Sequence, residues 1–214
     1  MAPGASRLTR LTDQLYTGAD LPRHRDGAYV EELVRWEDEG ITHLLDNRLE
    51  ASDLDVLAEL APDLVYLENG EDDAGQSMPD AWFEAGVTFA VEAMTQPSAK
   101  VHVHCHMGIN RGPSMALAVL LAQGWGPVAA VSLIRRERPV AAVAYGEQAL
   151  AWWHRRARVP EEQRRQERHE LAQWRRANPH DTVRLVQQVH DDELRARIST
   201  NDRTLSGPLP TVAS

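Results

Sequence analysis

Apolar and polar positions change their period along this chain, and the change predicts the fold class. Short strand patterns, such as residues 63–67 and 101–104, alternate with helical patterns up to residue 104. Helices dominate afterwards. Helical spacing is found at residues 30–39, 51–60, 79–93, 115–122, 127–138 and 145–158. Alternating strands and helices predict an α/β domain in which a central sheet is flanked by helices.

The pattern changes again at Pro160. Residues 161–176 are polar and arginine-rich, with Leu171 and Trp174 as the apolar anchors, and Asn178-Pro179 ends this helix. A second helix is expected from Asp181 to Arg197. Residues 160–198 therefore form a predicted helical extension, which either packs on the domain as a solvated hairpin or binds a partner or dimerises. Residues 199–214 are expected to be a disordered tail.

The chemistry concentrates where the last strand pattern meets a helix pattern. Residues 104–114 read His-Cys-His-Met-Gly-Ile-Asn-Arg-Gly-Pro-Ser, and Cys105 is the only cysteine of the chain. Pro113 suits the first turn of a helix. A tight turn at this place directs backbone N–H groups inward as an anion-binding nest, and the helix adds its positive end. Such a field favours a thiolate, so Cys105 is predicted to be a nucleophile.

Two further residues support a phosphate-binding loop. Gly108 can adopt a positive φ, and Arg111 offers a planar fork for two phosphate oxygens. The backbone and side chains of His106, Met107, Gly108, Ile109, Asn110 and Arg111 are the predicted phosphate-binding set. Most lone cysteines are small buried core residues, but a core position does not explain Gly108 and Arg111.

These residues resemble the signature of the cysteine-dependent protein tyrosine phosphatase superfamily, and of its dual-specificity branch in particular. The signature is His-Cys, five residues, then Arg. The resemblance extends to Leu15–Gly18 and Gly40–Asp46 as the first two strands and to the basic helix end at Ile134–Pro139. It covers about residues 8–158, which we take as the catalytic domain. It implies hydrolysis of phosphotyrosine or of dual-specificity phosphoprotein esters through a cysteinyl-phosphate.

The resemblance also implies an aspartic general acid roughly thirty residues before the cysteine. The matching stretch is residues 68–75, an acidic segment expected to be a loop. Asp73 lies thirty-two residues before Cys105 and is taken as the acid, with Asp72 as the alternative. The other interpretation is a solvated acidic turn.

Gly112 departs from the family pattern. Relatives usually carry Ser or Thr there, whose hydroxyl assists the cysteine as leaving group when water cleaves the phosphoenzyme. Slow turnover, substitution by Ser114, and a phosphate-binding module with little catalysis are the three consequences considered. A non-protein phosphate ester is a further substrate alternative.

The alternation of His102, His104 and His106 also resembles the start of a metal site. The other histidines lack ligand spacing, so we expect no metal and no cofactor. His104 is expected to orient the loop by hydrogen bonding. His106 is expected either to line the pocket mouth or to be a surface residue.

Length and charge restrict the remaining possibilities. The chain has 214 residues and a net charge of −9, which argues against non-specific nucleic-acid binding. No apolar stretch predicts a signal peptide or a membrane span. One unpaired cysteine fits a reducing compartment, so a cytoplasmic location is expected. The expected partner is a phosphorylated protein or another phosphate ester.

Overall fold

The computed structural model describes residues 7–22 and 28–205. Five strands and eight helices occur in these two ranges. The strands are β1 (Leu8–Arg10), β2 (Leu15–Ala19), β3 (His43–Arg48), β4 (Val65–Glu71) and β5 (Val101–Cys105). The helices are α1 (Ala28–Glu39), α2 (Leu54–Leu60), α3 (Asp80–Ala93), α4 (Arg111–Ala122), α5 (Pro127–Glu137), α6 (Gly146–Arg156), α7 (Glu161–Ala177) and α8 (Thr182–Leu205).

The strands form one mixed sheet in the order β1-β2-β5-β3-β4. β1 is antiparallel to β2, and the other pairs are parallel. β5 lies in the centre, so its carboxyl end is flanked by the carboxyl ends of β2 and β3. Ligands of open α/β sheets bind at this edge. The predicted α/β class with a central sheet between helices is confirmed.

Two apolar clusters cover the two faces of the sheet. On one face, Trp36 of α1 and Leu57 of α2 pack over Tyr16 and Leu44. On the other face, α3 to α7 enclose the larger cluster, which includes Val101 and Val103. α4 is buried nearly throughout, from Arg111 to Leu121. A helix that is apolar on all sides belongs in the centre of a core, and α4 therefore anchors the loop that precedes it.

Several predicted boundaries differ from the structure. β4 continues to Glu71, through residues that were expected to lie in a loop, because its pairing with β3 extends to Arg48 and Glu71. The loop therefore begins at Asp72. α8 continues to Leu205, past Ser199, where the tail was expected to begin. The rest of that predicted tail, residues 206–214, lies outside the described residues.

The helical extension packs on the domain through α7. Leu171 is 1% exposed and belongs to the larger apolar cluster. His154 of α6 is within 2.6 Å of the Glu167 carboxylate. No helix in the described ranges is long and apolar enough to cross a bilayer.

Candidate active site

The segment from Cys105 to Arg111 joins β5 to α4 at the carboxyl edge of the sheet. Cys105 is the last residue of β5 and is 2% exposed. Side chains alternate along a strand, so Cys105 shares the α4 face with Val101 and Val103. The thiol therefore lies beneath the amino-terminal end of α4, where the helix dipole is positive.

The carbonyl oxygens of this loop are held from outside it. Asp20 N–H donates to the His106 carbonyl at 3.3 Å. Arg138 donates from Nη2 to the Met107 carbonyl at 2.9 Å and from Nε to the Gly108 carbonyl at 2.6 Å.

The Ile109 carbonyl completes the series. It accepts from Ala142 N–H at 2.9 Å and from Val143 N–H at 3.3 Å. The C=O and N–H of one peptide unit point in opposite directions. Four successive carbonyls bound outward therefore direct the N–H groups that follow them inward, an arrangement suited to an anion.

Gly108 is required by its conformation and by its surroundings. Its φ is +62°, in the region that favours glycine. A Cβ added there would also lie 2.4 Å from the Gly18 carbonyl carbon and 2.5 Å from Arg138 Nη2. No other residue type fits this position without moving the loop.

Arg138 is the buried clamp of the loop. Only 4% of it is exposed. Burial lowers the pKa of Arg138 to about 10, and the electrostatic interaction with Cys105 opposes that effect. The guanidinium therefore stays protonated at neutral pH and places a positive charge under the loop.

Arg111 is oriented by acceptors on one of its edges. Nη1 donates to Glu50 Oε2 at 2.8 Å and to the Glu71 carbonyl at 2.7 Å, and Nη2 donates to Glu50 Oε1 at 2.6 Å. The Nε group of Arg111 donates no hydrogen bond within the described residues, although it lies 3.6 Å from Asp73 Oδ2. A guanidinium has five N–H groups, so the N–H of Nε and one N–H of Nη2 remain for two oxygens of a ligand.

The Arg111 charge acts back on Glu50. Its hydrogen bonds hold the pKa of Glu50 well below the ordinary range, at about 2. Burial is the largest single influence on the pKa of Arg111 and lowers it. The hydrogen bond to Glu50 and the electrostatic interactions with Cys105, Glu50 and Asp73 together outweigh burial, and the pKa is raised. Both groups are therefore ionised at neutral pH.

Asp73 lies beside Arg111 at the rim of the loop. Tyr145 Oη donates to Asp73 Oδ1 at 2.8 Å, and Asn110 Nδ2 approaches the same oxygen at 3.4 Å. Burial and the hydrogen bond to Asp73 raise the pKa of Tyr145 to about 12, so the phenol remains a donor. The Asp73 side chain is 28% exposed. The Asp72 side chain is exposed and makes no hydrogen bond or ion pair with the described residues.

A buried charge network supports the opposite side of the loop. Arg48 contacts Asp20 at 2.6 Å, Asp46 at 2.5 Å and Asp53 at 2.8 Å. Burial alone would raise the pKa of Asp20, but a hydrogen bond with His106 and the Arg48 charge outweigh it and the pKa is lowered. His106 is half-exposed, and its Nδ1 lies 3.0 Å from Asp20 Oδ2. The Asp20 carboxylate therefore holds the His106 ring at the start of the loop.

His104 faces away from Cys105. Its ring stacks on His102 with 5.4 Å between centroids, on the face covered by Trp36. Its ring nitrogens make no hydrogen bond with the described residues. The backbone carbonyl of His104 accepts a hydrogen bond from Asn47 Nδ2 at 3.0 Å. His104, Asp46 and Asp53 lie close together, but Arg48 contacts both carboxylates.

Gly112 packs closely against the end of β5. A Cβ at this position would lie 3.0 Å from the His104 carbonyl carbon and 3.2 Å from Cys105 N. The Ser114 hydroxyl is buried and accepts from Tyr145 N–H at 3.1 Å. The Ser114 oxygen therefore already holds the segment that carries Tyr145.

The structure brings most of the sequence-predicted residues together. Arg111 lies 3.6 Å from Asp73 and interacts electrostatically with Cys105, and the loop residues connect Cys105 to Arg111. Five residues were missed by the sequence analysis: Asp20, Arg48, Glu50, Arg138 and Tyr145. Only Arg138 carried a signal, because it lies in the basic helix end of the family resemblance.

The similarity to solved structures matches this geometry. No protein-family model matches the sequence. The structure of PTPMT1 in complex with PI(5)P aligns with a TM-score of 0.57 at 18% identity, covering 72% of this chain and 100% of that chain. Human DUSP28 aligns with a TM-score of 0.57 at 19% identity, covering 73% and 99%. Tk-PTP in the active form gives 0.57 at 16% identity, covering 71% and 99%. The chain therefore has the fold of the dual-specificity, cysteine-based phosphatases, as its signature loop predicted.

Proposed function

Since the chain has this fold, we propose that it is a cysteine-dependent phosphatase acting on phosphate monoesters. The observation that carries the proposal is the loop 105–111, whose four outward-bound carbonyls turn its N–H groups toward the pocket beside Cys105. An oxyanion with three equivalent oxygens fits such a nest together with the two remaining donors of Arg111.

In the proposed reaction, the Cys105 thiolate attacks phosphorus in line with the leaving oxygen. An S–P bond forms, the P–O bond to the leaving group breaks, and Asp73 gives its proton to the leaving oxygen. Arg111 and the loop N–H groups hold the equatorial oxygens throughout. The Asp73 carboxylate then takes a proton from water as the water oxygen attacks phosphorus. The S–P bond breaks, and the thiolate and inorganic phosphate are released.

Within this class we propose a singly phosphorylated protein side chain, phosphotyrosine alone or phosphotyrosine and phosphoserine, as substrate. The carboxylates of Glu50 and Asp73 both lie beside Arg111, Asp72 adjoins Asp73 in the chain, and His106 is the basic residue next to Cys105. These carboxylates repel a ligand that bears additional phosphates. PTPMT1 has been solved with PI(5)P, so a lipid phosphate is the natural comparison substrate.

The proposal is tested by Cys105→Ser. We expect this variant to lose hydrolysis of para-nitrophenyl phosphate, because a serine hydroxyl in this field is not ionised, while vanadate still binds to the loop. The rate of hydrolysis is measured by the release of nitrophenolate, and vanadate binding is measured by calorimetry. Hydrolysis that persists in Cys105→Ser would refute the covalent mechanism.

A phosphate-binding module with slow turnover is the second candidate, and Gly112 favours it. A hydroxyl at this position would stabilise the departing thiolate, and glycine supplies none. The Ser114 oxygen accepts from Tyr145 N–H, which fixes this side chain against the segment that carries Tyr145. Formation of the phosphoenzyme is then faster than its hydrolysis, and the phosphoryl group stays on Cys105 after the dephosphorylated ligand has left.

A further inference from the structure

A cavity of about 180 Å³ lies between the catalytic domain and the helical extension. Its walls come from α4 to α7, from the segment between α5 and α6 and from residues 178–182, and they include Leu117, Val143 and Trp174. One ordered water needs only roughly 10–15 Å³ of such volume, so the cavity has room for a small organic molecule.

The polar part of the lining is basic, although the chain as a whole is acidic. Arg135, Arg175 and His180 all line the cavity. Burial and the positive charge of Arg175 lower the pKa of Arg135. Burial, followed by the Arg135 charge, lowers the pKa of His180, which Asp181 partly offsets. The two guanidiniums therefore act on each other across this space.

Neighbouring carboxylates neutralise this charge only in part. Arg175 contacts Glu147 Oε1 at 3.3 Å, a carboxylate whose side chain is 64% exposed. Arg135 makes no ion pair with the described part of the chain, and its guanidinium lies 5.7 Å from the Trp174 ring centroid. Arginines are common in the last turn of helices, where they interact with the helix dipole. That preference explains their presence in α5 and α7 but not a half-buried Arg135 without a carboxylate.

We propose that this cavity binds a small organic anion. Its carboxylate or phosphate group contacts Arg135 and Arg175, and its flat apolar part packs against Trp174 and Leu117. Arginine forks bind such oxyanions in pairs of hydrogen bonds, and the aromatic ring provides a surface for an apolar body.

The place of the cavity connects it with the phosphate loop. Val143, in its wall, has a φ of +52° and donates through its N–H to the Ile109 carbonyl. Tyr145, two residues later, donates to Asp73. A ligand in the cavity thus contacts the segment that holds both the loop and the acid.

Benzoate is a suitable probe, with neutral benzamide as its control. We expect calorimetry to detect benzoate binding to the full chain and no comparable binding of benzamide. In nuclear magnetic resonance spectra, benzoate should shift the Trp174 indole N–H and the Val143 amide. Arg135→Gln should weaken benzoate binding roughly tenfold or more, as expected for loss of a charge-assisted hydrogen bond.

Three variants make the test specific. Arg156→Gln removes an arginine that also lies over a tryptophan, Trp152, but outside the cavity, and it should bind benzoate like the parent. Arg111→Lys, in the phosphate loop, should likewise leave binding unchanged. Arg175→Gln should weaken binding and serves in place of Arg135→Gln if that variant unfolds. Absent benzoate binding, equal binding of benzamide, or binding lost only in Arg111→Lys would overturn the proposal.

Discussion

Arg111 shows how single residues define this site. Glu50 and the Glu71 carbonyl take three of its N–H groups, which leaves the N–H of Nε and one N–H of Nη2 for a ligand. Glu50 is therefore a positioning residue, because it acts on a ligand through Arg111. Its identity was not predictable, since a glutamate sixty-one residues away from its partner carries no local pattern.

Glu50→Gln should change how stability depends on pH. The pKa of Glu50 is lowered from 4.5 to about 2, so its pair with Arg111 contributes fully above pH 4.5 and is lost as the pH falls toward 2. Because 48% of the Glu50 side chain is exposed, we expect an effect of at most about 1 kcal/mol. Thermal melts between pH 3 and pH 6 measure it.

The parent should be the more stable protein at pH 6, and the difference should shrink toward pH 3. The pKa values of Asp20 and Asp46 are also lowered. Both residues are present in the parent and in the variant, so their contributions to the pH dependence cancel in the comparison. A difference that stays constant over this range would show that the charge of Glu50 is not responsible.

Asp73 and Asp72 differ in what they contact. The Asp73 side chain contacts Tyr145, Asn110 and Arg111, whereas the Asp72 side chain makes no hydrogen bond or ion pair with the described residues. Asp73→Ala should slow phenyl phosphate hydrolysis by about 10²–10⁴-fold and para-nitrophenyl phosphate hydrolysis much less, because nitrophenolate leaves without a proton. Steady-state rates with both esters measure the ratio. Asp72→Ala is the matched control and should behave like the parent, and the same leaving-group effect in Asp72→Ala would assign the acid to that residue instead.

At the scale of elements, the strand, loop and helix around Cys105 were predictable because their signals are local. The alternation at residues 101–104, Gly108 and Pro113 all belong to one continuous stretch. β4 was harder to predict. Its apolar alternation ends at Leu67, but pairing with β3 continues through Glu71. The hydrogen-bonded pairing between β3 and β4 determines where β4 ends. The sequence pattern of β4 alone does not show how far this pairing extends.

Gly108→Ala tests how tightly this loop is built. Alanine at a positive φ costs about 1–2 kcal/mol by itself, and at Gly108 the added Cβ would also overlap Gly18 and Arg138. Gly124 is the control, because its φ is +87° and an added Cβ there meets nothing within 4 Å. We expect urea denaturation to show a clearly larger loss for Gly108→Ala, together with loss of vanadate binding. Equal losses in the two variants would mean that the close approach at Gly108 is unimportant.

At the scale of the whole molecule, the α/β class and the site's place at the sheet edge were predictable from order and period. The contacts that complete the site were not. Asp20, Glu50, Arg138 and Tyr145 come from four separate segments, and only the folded sheet brings them to β5. The extension is similar: its polar composition predicted a helix, but the burial of Leu171 in the main core depends on the surfaces of α5 and α6.

Formation of a phosphoenzyme on Cys105 is the central claim, and rapid mixing with para-nitrophenyl phosphate followed by acid quench and mass spectrometry tests it most directly. We predict a burst of nitrophenolate equal to the enzyme concentration, with one phosphoryl group attached to Cys105 at the same rate. Because of Gly112, the adduct should then decay slowly. Nitrophenolate release without a phosphoryl group on Cys105 would contradict the account.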